Sequence, residues 1–404
     1  WIMFLSGCQN TEEKEIVIIS TNDIHGRIEQ FSKLATFVKR IKEEHPNVIL
    51  VDAGDRFTGN PYVDHAKEKG FPIISLMNDL GYEVGTLGNH EFDFGQKILR
   101  ARINDARHRS AFICANINSS RGELDSIPPY HIIEKDGIKL GFISFVQTET
   151  DQIPSTNPER LKDITFDHYL DKVEDYKPLK RQCDVLIGLT HLGVDKDSIL
   201  ATQMPELDII IGGHTHTLLE TSKEINNVII GQTGLKLQYA GLTILKFTKG
   251  KLTERSYQSC LIDTITRVDS CITRKVNYFM EQPEFKEVIG ISSLPFKSQE
   301  SIGNIVTDAM LRSTVSDFAF YNQGGIRLSA LPQGDITLET LLSIEPFGNH
   351  IVLHDLSLSD IKALILNRFN QDGHVIDLYV SPGSYTIIQD QQGKGTDVIL
   401  KDRN

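Results

Sequence analysis

The chain has 404 residues, of which 40% are hydrophobic, and this length favours two domains over one. Its net charge of −12 excludes a protein that binds nucleic acid through a basic face, so no nucleic-acid partner is expected. Small anionic substrates stay possible, because a bound metal ion can reverse the local charge.

The N-terminal eight residues form an apolar run that ends in Leu5-Ser6-Gly7-Cys8. This ending resembles the lipobox of bacterial lipoproteins, in which the cysteine becomes the lipidated first residue. We expect residues 1–14 to be a signal remnant and tether. The protein would then be exported and anchored through Cys8 in the periplasm or at the cell surface. The alternative is an accidental apolar tail, because a complete signal needs a basic segment and a longer apolar core.

Short apolar runs in the first half of the chain are predicted to be strands, and metal-binding side chains follow five of them. The runs with the residues that follow are 15–20 with Asp23 and His25, 48–51 with Asp55, 84–87 with Asn89 and His90, 185–189 with His191, and 207–211 with His214 and His216. Helical spacing is found at 31–44 and 73–80. The later strands lack long intervening helices, so a mixed sheet or two packed sheets is expected.

The residues at these strand ends favour a metal site because they occur together, although each motif alone is more often structural. The set contains no cysteine and suits Zn, Mn, Fe or Co. One tetrahedral zinc would need only three or four of the groups, whereas seven are about right for two ions that share a carboxylate. Two ions roughly 3.5–4 Å apart can clamp a phosphoryl group and generate hydroxide near neutral pH.

A second region follows a polar, helix-prone segment at 261–290, which we interpret as a linker between domains 15–260 and 291–404. Helices are predicted at 302–312 and 359–369 and a strand at 351–354.

Two segments of this region suit binding of a substrate. The turn from Asn322 to Arg327 contains Gly324 and allows close backbone approach, and Arg327 could contact an anion. Phe347 offers a flat apolar face on which an aromatic ring can stack. The alternatives are a β-turn with an exposed arginine and a phenylalanine of the core.

The motifs Asp-x-His, Gly-Asp, Gly-Asn-His-Glu, Thr-His-Leu-Gly and Gly-Gly-His-Thr-His, in this order, resemble those of the calcineurin-like dinuclear metallophosphoesterases. The nearest subfamily is the 5′-nucleotidase/UDP-sugar hydrolase family, whose two longest motifs are matched nearly letter for letter at 20–26 and 88–95. The resemblance runs from about Ile16 past Phe369. It implies an α/β protein with a four-layered αββα catalytic domain and a smaller α/β substrate domain.

The resemblance also assigns roles to the strand-end residues. One ion would be held by Asp23, His25 and His216, the other by Asn89, His191 and His214, with Asp55 bridging them. His90 would stabilise charge on the phosphoryl group or protonate the leaving oxygen, while Asp93 orients its ring. Glu91 would have no metal role and would brace the loop.

The implied reaction is hydrolysis of a nucleoside monophosphate to nucleoside and phosphate, by hydroxide generated at two divalent ions (Zn, Mn, Co or Fe). No organic cofactor is implied. Asn322, Gly324, Arg327 and Phe347 would bind the substrate, with Phe347 stacking on the base. UDP-sugars, cyclic nucleotides or another phosphoester are alternative substrates, and a non-catalytic nucleotide-binding lipoprotein is an alternative function. The protein is expected to be a monomer or weak dimer.

Two departures from the family pattern concern the substrate. The segment 295–304 contains no arginine where the family supplies one. The sequence stops at Asn404, before the family's second stacking phenylalanine in a Gly-Gly-Asp-Gly loop. Either the sequence is truncated at both ends, or the base is stacked on one phenylalanine only. We expect a fragment, because the N-terminal run also resembles an incomplete signal.

Overall fold

The computed structural model describes residues 13–106, 109–149, 151–371 and 375–401. The chain divides into two compact units, with the boundary between Glu281 and Gln282. The tether predicted at 1–14 lies almost wholly outside the described residues, and so does Cys8. In the described part, no helix is both long enough and apolar enough to cross a membrane.

The first unit forms strands β1 to β14 and helices α1 to α7 in its described residues. The strands are β1 (Glu13–Thr21), β2 (Val48–Asp52), β3 (Tyr82–Thr86), β4 (Ala111–Ile113), β5 (Ile117–Asn118), β6 (Tyr130–Lys135), β7 (Ile138–Ile143), β8 (Thr165–Phe166), β9 (Val185–Leu189), β10 (Ile209–Ile211), β11 (Lys223–Ile225), β12 (Val228–Gly231), β13 (Tyr239–Thr248) and β14 (Lys251–Leu261). The helices are α1 (Phe31–Glu44), α2 (Pro61–Asp64), α3 (Phe71–Leu80), α4 (Gln96–Ala106), α5 (Val173–Tyr176), α6 (Val194–Gln203) and α7 (Ser270–Met280).

Two six-stranded mixed sheets dominate this unit. Their strand orders are β14-β13-β1-β2-β3-β4 and β11-β12-β10-β9-β7-β6. Strands β1 to β4 run parallel in the first sheet, and β7, β9, β10 and β12 run parallel in the second. Parallel strands bring their carboxyl ends to one edge of a sheet, which is where open α/β sheets bind ligands.

The two sheets pack face to face. Ile16 and Ile18 of β1 share one hydrophobic cluster with Leu140 and Ile187 of the second sheet. Side chains alternate along a strand, so Val17, which is also fully buried, faces the opposite side. A sheet that is buried on both faces needs a helical layer outside it.

Helices supply these outer layers. Helix α1 buries Leu34, Phe37, Val38 and Ile41, the spacing of one helix face, and contacts α3 and α7. On the second sheet, Leu200 of α6 joins a separate cluster with strand residues. The expected four-layered αββα arrangement is therefore confirmed. Helix α7 lies in the first unit, and the predicted linker limits of 261–290 stay a prediction.

The second unit is smaller and forms three two-stranded antiparallel pairs among its described residues, β15–β17, β16–β18 and β19–β20. Its elements are β15 (Val288–Ser292), β16 (Ala319–Asn322), β17 (Gly334–Thr337), β18 (Leu378–Ser381), β19 (Ser384–Gln389), β20 (Gly395–Lys401), α8 (Gln299–Ser313), α9 (Leu338–Ile344) and α10 (Leu358–Gln371). Its core consists of two small clusters, one around Ile302 and Tyr379 and one around Ile365 and Val398.

The prediction of a strand at 351–354 is wrong. Residues 351–357 form no strand, and Ile351, Val352 and Leu353 are 47%, 68% and 63% exposed. A β-rich run becomes a strand only where a neighbouring strand takes its backbone hydrogen bonds. None of the described strands pairs with this run.

Candidate metal centre

The seven predicted ligands lie in loops that follow β1, β2, β3, β9 and β10. Five of them have positive φ angles, between 47° and 84°, namely Asp23, His25, Asp55, His214 and His216. This left-handed backbone is uncommon outside glycine and persists only where surrounding contacts hold it. The strand ends thus make sharp turns at these residues, and the structure brings their side chains together.

The first group joins Asp23, His25 and His216, whose candidate ligand atoms lie within 4.8 Å of one another. His216 Nε2 is 3.0 Å from His25 Nε2 and 3.5 Å from Asp23 Oδ1. His25 Nδ1 donates to the Thr58 carbonyl oxygen at 3.0 Å. The proton on Nδ1 leaves the lone pair of Nε2 directed into the group, as in histidine that binds a metal.

The second group joins Asp55, His191 and His214 in the same way. His191 Nδ1 donates to the Ala53 carbonyl oxygen at 2.7 Å, and its Nε2, the nitrogen left to bind a proton or a metal ion, lies 3.1 Å from Asp55 Oδ2. Within the described chain, this buried Nε2 has no hydrogen-bond partner. A buried imidazole nitrogen and a carboxylate oxygen at this separation can share either a proton or a metal ion, so the residues present fit a metal ion.

Asn89 lies beside the second group. Its Nδ2 donates to the Ser155 carbonyl oxygen at 3.1 Å, which turns Oδ1 to within 3.2 Å of His214 Nδ1. An amide oxygen oriented in this way can act as a ligand. The His214 backbone N–H in turn donates to both Asp23 oxygens, at 3.0 and 3.1 Å, which links the two groups.

Burial and neighbouring charges shift the pKa values of these residues in different directions. Burial raises the pKa of Asp23 to about 7 against the effect of His191. Burial also opposes ionisation of Asp55, but His191 and His90 outweigh it and hold the Asp55 pKa well below its usual range. Burial lowers the His191 pKa, yet Asp55 raises it to about 10, whereas burial lowers the pKa of His214 to about 3. Without a metal ion, the neighbouring carboxylates thus stabilise the positively charged form of His191. A bound divalent ion would supply this positive charge in its place.

His90 lies next to this centre and is fixed by Asp93. Its Nδ1 is 2.6 Å from Asp93 Oδ2, and its backbone N–H donates to Asp55 Oδ1 at 2.9 Å. The Asp93 carboxylate also accepts hydrogen bonds from the Thr58 and Thr156 hydroxyls, each at 2.7 Å. His90 Nε2 lies 3.9 Å from Asp55 Oδ2, so the ring edge opposite Asp93 faces the metal-type ligands.

Glu91 braces two loops at once. Its buried carboxylate accepts backbone N–H groups from Gly88, Asp55 and Arg56, at 2.5, 2.9 and 2.8 Å. A Cβ at Gly88 would collide with Asp55 Oδ1, so this close approach requires glycine. The loop after β3 therefore holds the turn that carries Asp55.

Sequence reasoning missed Arg56, which is fully buried beneath these loops. Its guanidinium lies 2.9 Å from Asp52 and 3.4 Å from Glu91, donates to the Thr86 carbonyl oxygen at 2.7 Å and stacks on the Phe112 ring. The signal available in the sequence was an arginine directly after Gly-Asp, which is equally typical of a solvated loop residue.

The predicted substrate residues lie in the second unit. The Arg327 guanidinium lies over the Phe347 ring, 5.2 Å from its centroid, and both side chains are half-buried. Asn322 ends β16, and Gly324 lies in the 3₁₀ turn Gln323–Gly325 that follows it. The structure thus brings Arg327 and Phe347 together and leaves Asn322 and Gly324 exposed in the adjoining turn.

The chain resembles known proteins over both units. Residues 16–218 match the profile of the calcineurin-like phosphoesterases, and residues 287–399 match that of the 5′-nucleotidase C-terminal domain. The chain is 29% identical to the trifunctional nucleotide phosphoesterase protein YfkN of Bacillus subtilis (strain 168), an alignment that covers 86% of this chain and 27% of that protein. It thus spans about a quarter of that relative's length.

Two shorter relatives match over most of their length. The 5′-nucleotidase of Rattus norvegicus is 27% identical, with 96% of this chain and 77% of that protein covered. The crystal structure of a 5′-nucleotidase precursor from Thermus thermophilus superposes with a TM-score of 0.83 at 25% identity, covering 96% of this chain and 84% of that one.

Proposed function

The chain belongs to the calcineurin-like phosphoesterase family, and on that premise we propose that it is a 5′-nucleotidase that hydrolyses nucleoside monophosphates to nucleoside and phosphate. One observation supports this most strongly. Loops from five strands of two sheets converge on three overlapping groups of metal-type side chains, one of which includes His90, the histidine that is paired with Asp93. The names of the relatives point to nucleotides as the substrate class.

We assign the first ion to Asp23, His25 and His216, the second to Asn89, His191 and His214, and the bridging position to Asp55. When bound, divalent ions supply Lewis-acid charge at the phosphoryl oxygens and lower the pKa of a water molecule. The choice among Zn, Mn, Co and Fe is left to metal analysis, because a donor set of this kind accepts each of them.

His90 and Asp93 are the proposed catalytic pair. Asp93 fixes the tautomer and orientation of the imidazole, and the Nε2 edge of His90 faces the centre. In this position, His90 can protonate the leaving oxygen or stabilise charge on the phosphoryl group.

Recognition of the nucleotide is proposed for the second unit. Arg327 would contact an anionic or polar group of the substrate, Phe347 would stack on the base, and Asn322 and Gly324 would line the adjoining turn. Stacking tolerates different bases, so the choice between monophosphates, UDP-sugars and cyclic nucleotides is a matter for the substrate panel described below.

Export and lipid anchoring at Cys8 are further proposals that rest on the lipobox-like ending of the N-terminal run. Mass spectrometry of the protein expressed in a bacterial host tests them, because a diacylglyceryl group on Cys8 adds a defined mass. A monomer or weak dimer is the state we propose in solution.

The enzymatic proposal is tested by product analysis in the presence of Mn²⁺ or Zn²⁺: phosphate release from AMP, UMP and glucose 1-phosphate from UDP-glucose, and an adenosine monophosphate from cyclic AMP. His90→Ala should lower kcat on AMP by about 100-fold or more, because general acid–base groups contribute about 10²–10⁴-fold. His131→Ala, at an exposed histidine on β6, serves as the control and should keep wild-type turnover. Tight nucleotide binding with no product would instead favour the non-catalytic lipoprotein.

A further inference from the structure

The Asp93 carboxylate is held from three sides. Its Oδ2 accepts hydrogen bonds from His90 Nδ1 at 2.6 Å and from Thr58 Oγ1 at 2.7 Å, and its Oδ1 accepts one from Thr156 Oγ1 at 2.7 Å. Because each carboxylate oxygen accepts a hydrogen bond from one threonine hydroxyl, the carboxylate cannot rotate without losing a hydrogen bond. The two threonines therefore fix the group that fixes the His90 ring.

Thr58 also contacts the metal-type ligands. Its carbonyl oxygen accepts the His25 Nδ1 proton at 3.0 Å, while its hydroxyl donates to Asp93. Its φ angle is 65°, which is rare for a β-branched residue. The backbone N–H of Thr58 donates to the buried Asp64 at 3.1 Å, and this contact helps to hold the unusual conformation. One residue thus couples the orientation of His25 to that of His90.

Thr156 comes from a different part of the unit, the loop between β7 and β8. The preceding residue, Ser155, accepts the Asn89 amide through its carbonyl oxygen at 3.1 Å. Two consecutive loop residues therefore orient a predicted metal ligand and the partner of the catalytic histidine. Thr156 itself is half-buried, so its hydroxyl could also hydrogen-bond to water. The conformation of this loop is what places the hydroxyl next to Asp93.

We propose that Thr58 and Thr156 are positioning residues that clamp Asp93 so that His90 Nε2 is aimed at the leaving oxygen of the substrate. This inference rests on the proposed function. In the step concerned, a water oxygen bonds to phosphorus, and the P–O bond to the leaving group breaks. The leaving oxygen keeps that electron pair and takes the Nε2 proton of His90. One proton of the attacking water stays on the product phosphate, and the other is released to solvent, from which His90 Nε2 is protonated again.

The clamp should matter most when the leaving group needs this proton. The 5′-oxygen of a nucleoside is a strongly basic alkoxide if it leaves unprotonated, whereas p-nitrophenolate is stable as an anion. Misplacement of His90 should therefore slow hydrolysis of AMP far more than hydrolysis of p-nitrophenyl phosphate. A role of the threonines in folding alone would affect both substrates equally.

The test compares kcat/KM on the two substrates with Mn²⁺ present. Thr156→Val and Thr58→Val, which keep the shape and remove the hydroxyl, should lose about 10- to 100-fold on AMP and under about threefold on p-nitrophenyl phosphate. Thr156→Ser and Thr58→Ser retain the hydroxyl and should stay within about threefold of wild type on both. Equal losses on the two substrates, or serine variants as impaired as the valine ones, would overturn the proposal.

Thr243 of β13 provides a matched control. It is fully buried, and its hydroxyl has no hydrogen-bond partner among the described residues. Thr243→Val therefore makes the same chemical change without removing a contact of the site. Its ratio of AMP to p-nitrophenyl phosphate hydrolysis should equal that of the wild type.

A spectroscopic measurement separates the clamp from the proposed function. The short His90–Asp93 hydrogen bond should give a downfield imidazole N–H proton resonance that is absent in Asp93→Asn. We expect this resonance to move in Thr156→Val and Thr58→Val but not in Thr243→Val. If the wild type hydrolyses neither substrate, the proposed function fails, and an unmoved resonance in both threonine variants would overturn the clamp.

Discussion

The two units present their functional residues in different ways. In the first unit, Asp23, Asp55 and His191 are 0–2% exposed and follow the ends of strands in two packed six-stranded sheets. In the second unit, Arg327 and Phe347 are half-buried in segments between two-stranded pairs. Residues proposed for the chemistry are therefore held by buried hydrogen bonds, whereas residues proposed for recognition are only half-buried.

Removal of the central carboxylate, that of Asp55, should have the largest effect. Asp55→Asn should lower AMP hydrolysis by at least about 1,000-fold, because the site then loses the charge that organises His90 and His191 and binds metal less tightly. Turnover of AMP and metal content are measured on the same preparation.

Asp136→Asn is the control for an Asp-to-Asn change at a residue with a positive φ angle, as in Asp55→Asn. Asp136 also has positive φ, at 52°, but it is exposed in the turn between β6 and β7. Asparagine tolerates this conformation, so Asp136→Asn should be as active as wild type. Full activity of Asp55→Asn would remove Asp55 from the proposed mechanism.

Two glutamates test whether the units differ in rigidity as well as in burial. Glu91→Gln should destabilise the first unit by about 3 kcal/mol, because it leaves the buried Arg56 short of a charged partner. Glu345→Gln in the second unit changes a half-buried carboxylate that accepts from Tyr321 and Gly348, and should cost about 1 kcal/mol. Denaturant unfolding followed by circular dichroism measures both.

Equal costs for the two glutamate variants would contradict the contrast between the units. A silent Glu91→Gln would show that the three backbone N–H groups of Gly88, Asp55 and Arg56 do not need the charge of this side chain.

Features that depend on residues close together in the chain could be predicted from the sequence. Helix α1 begins and ends where its apolar spacing predicted, and the ends of five apolar runs identified the residues that the structure brings together. These features are local in the chain. The metal-binding role of the residues remains a prediction that the experiments above test.

Other features depend on contacts between distant segments and could not be predicted. Arg56 is buried because Asp52, Glu91 and Phe112 surround it, and Thr156 reaches Asp93 across 63 residues of sequence. The run at 351–354 shows the converse, since strand-forming residues there have no strand beside them among the described ones. Packing between distant segments decided each of these cases.

A smaller effect is expected in the second unit. Phe347→Ala should raise KM for AMP about 10-fold with little change in kcat, because stacking on a base contributes about 1–3 kcal/mol. Ribose 5-phosphate, which has no base, should show no change in KM, and Phe347→Tyr should behave as wild type. A fall in kcat with unchanged KM would move Phe347 out of substrate binding.

The smallest expected effect is the release of protons when metal binds to the first unit. His191, whose pKa is raised to about 10, carries a proton at pH 7, and Asp23, whose pKa is raised to about 7, is partly protonated there; both must lose these protons to act as ligands. We expect release of about one to two protons per chain at pH 7 and weaker binding as the pH falls. Calorimetry in buffers of different ionisation enthalpy measures this, and binding that is independent of pH between 6 and 8 would contradict it.

The most direct test of the central claim is the metal content of the purified protein after loading with Mn²⁺ or Zn²⁺ and removal of excess ion. Two ions per chain are predicted in the wild type and in His90→Ala, and fewer in Asp55→Asn. A wild-type protein that retains no ion, or an Asp55→Asn variant that retains two, would contradict the assignment of Asp55 as the shared ligand of a two-metal centre.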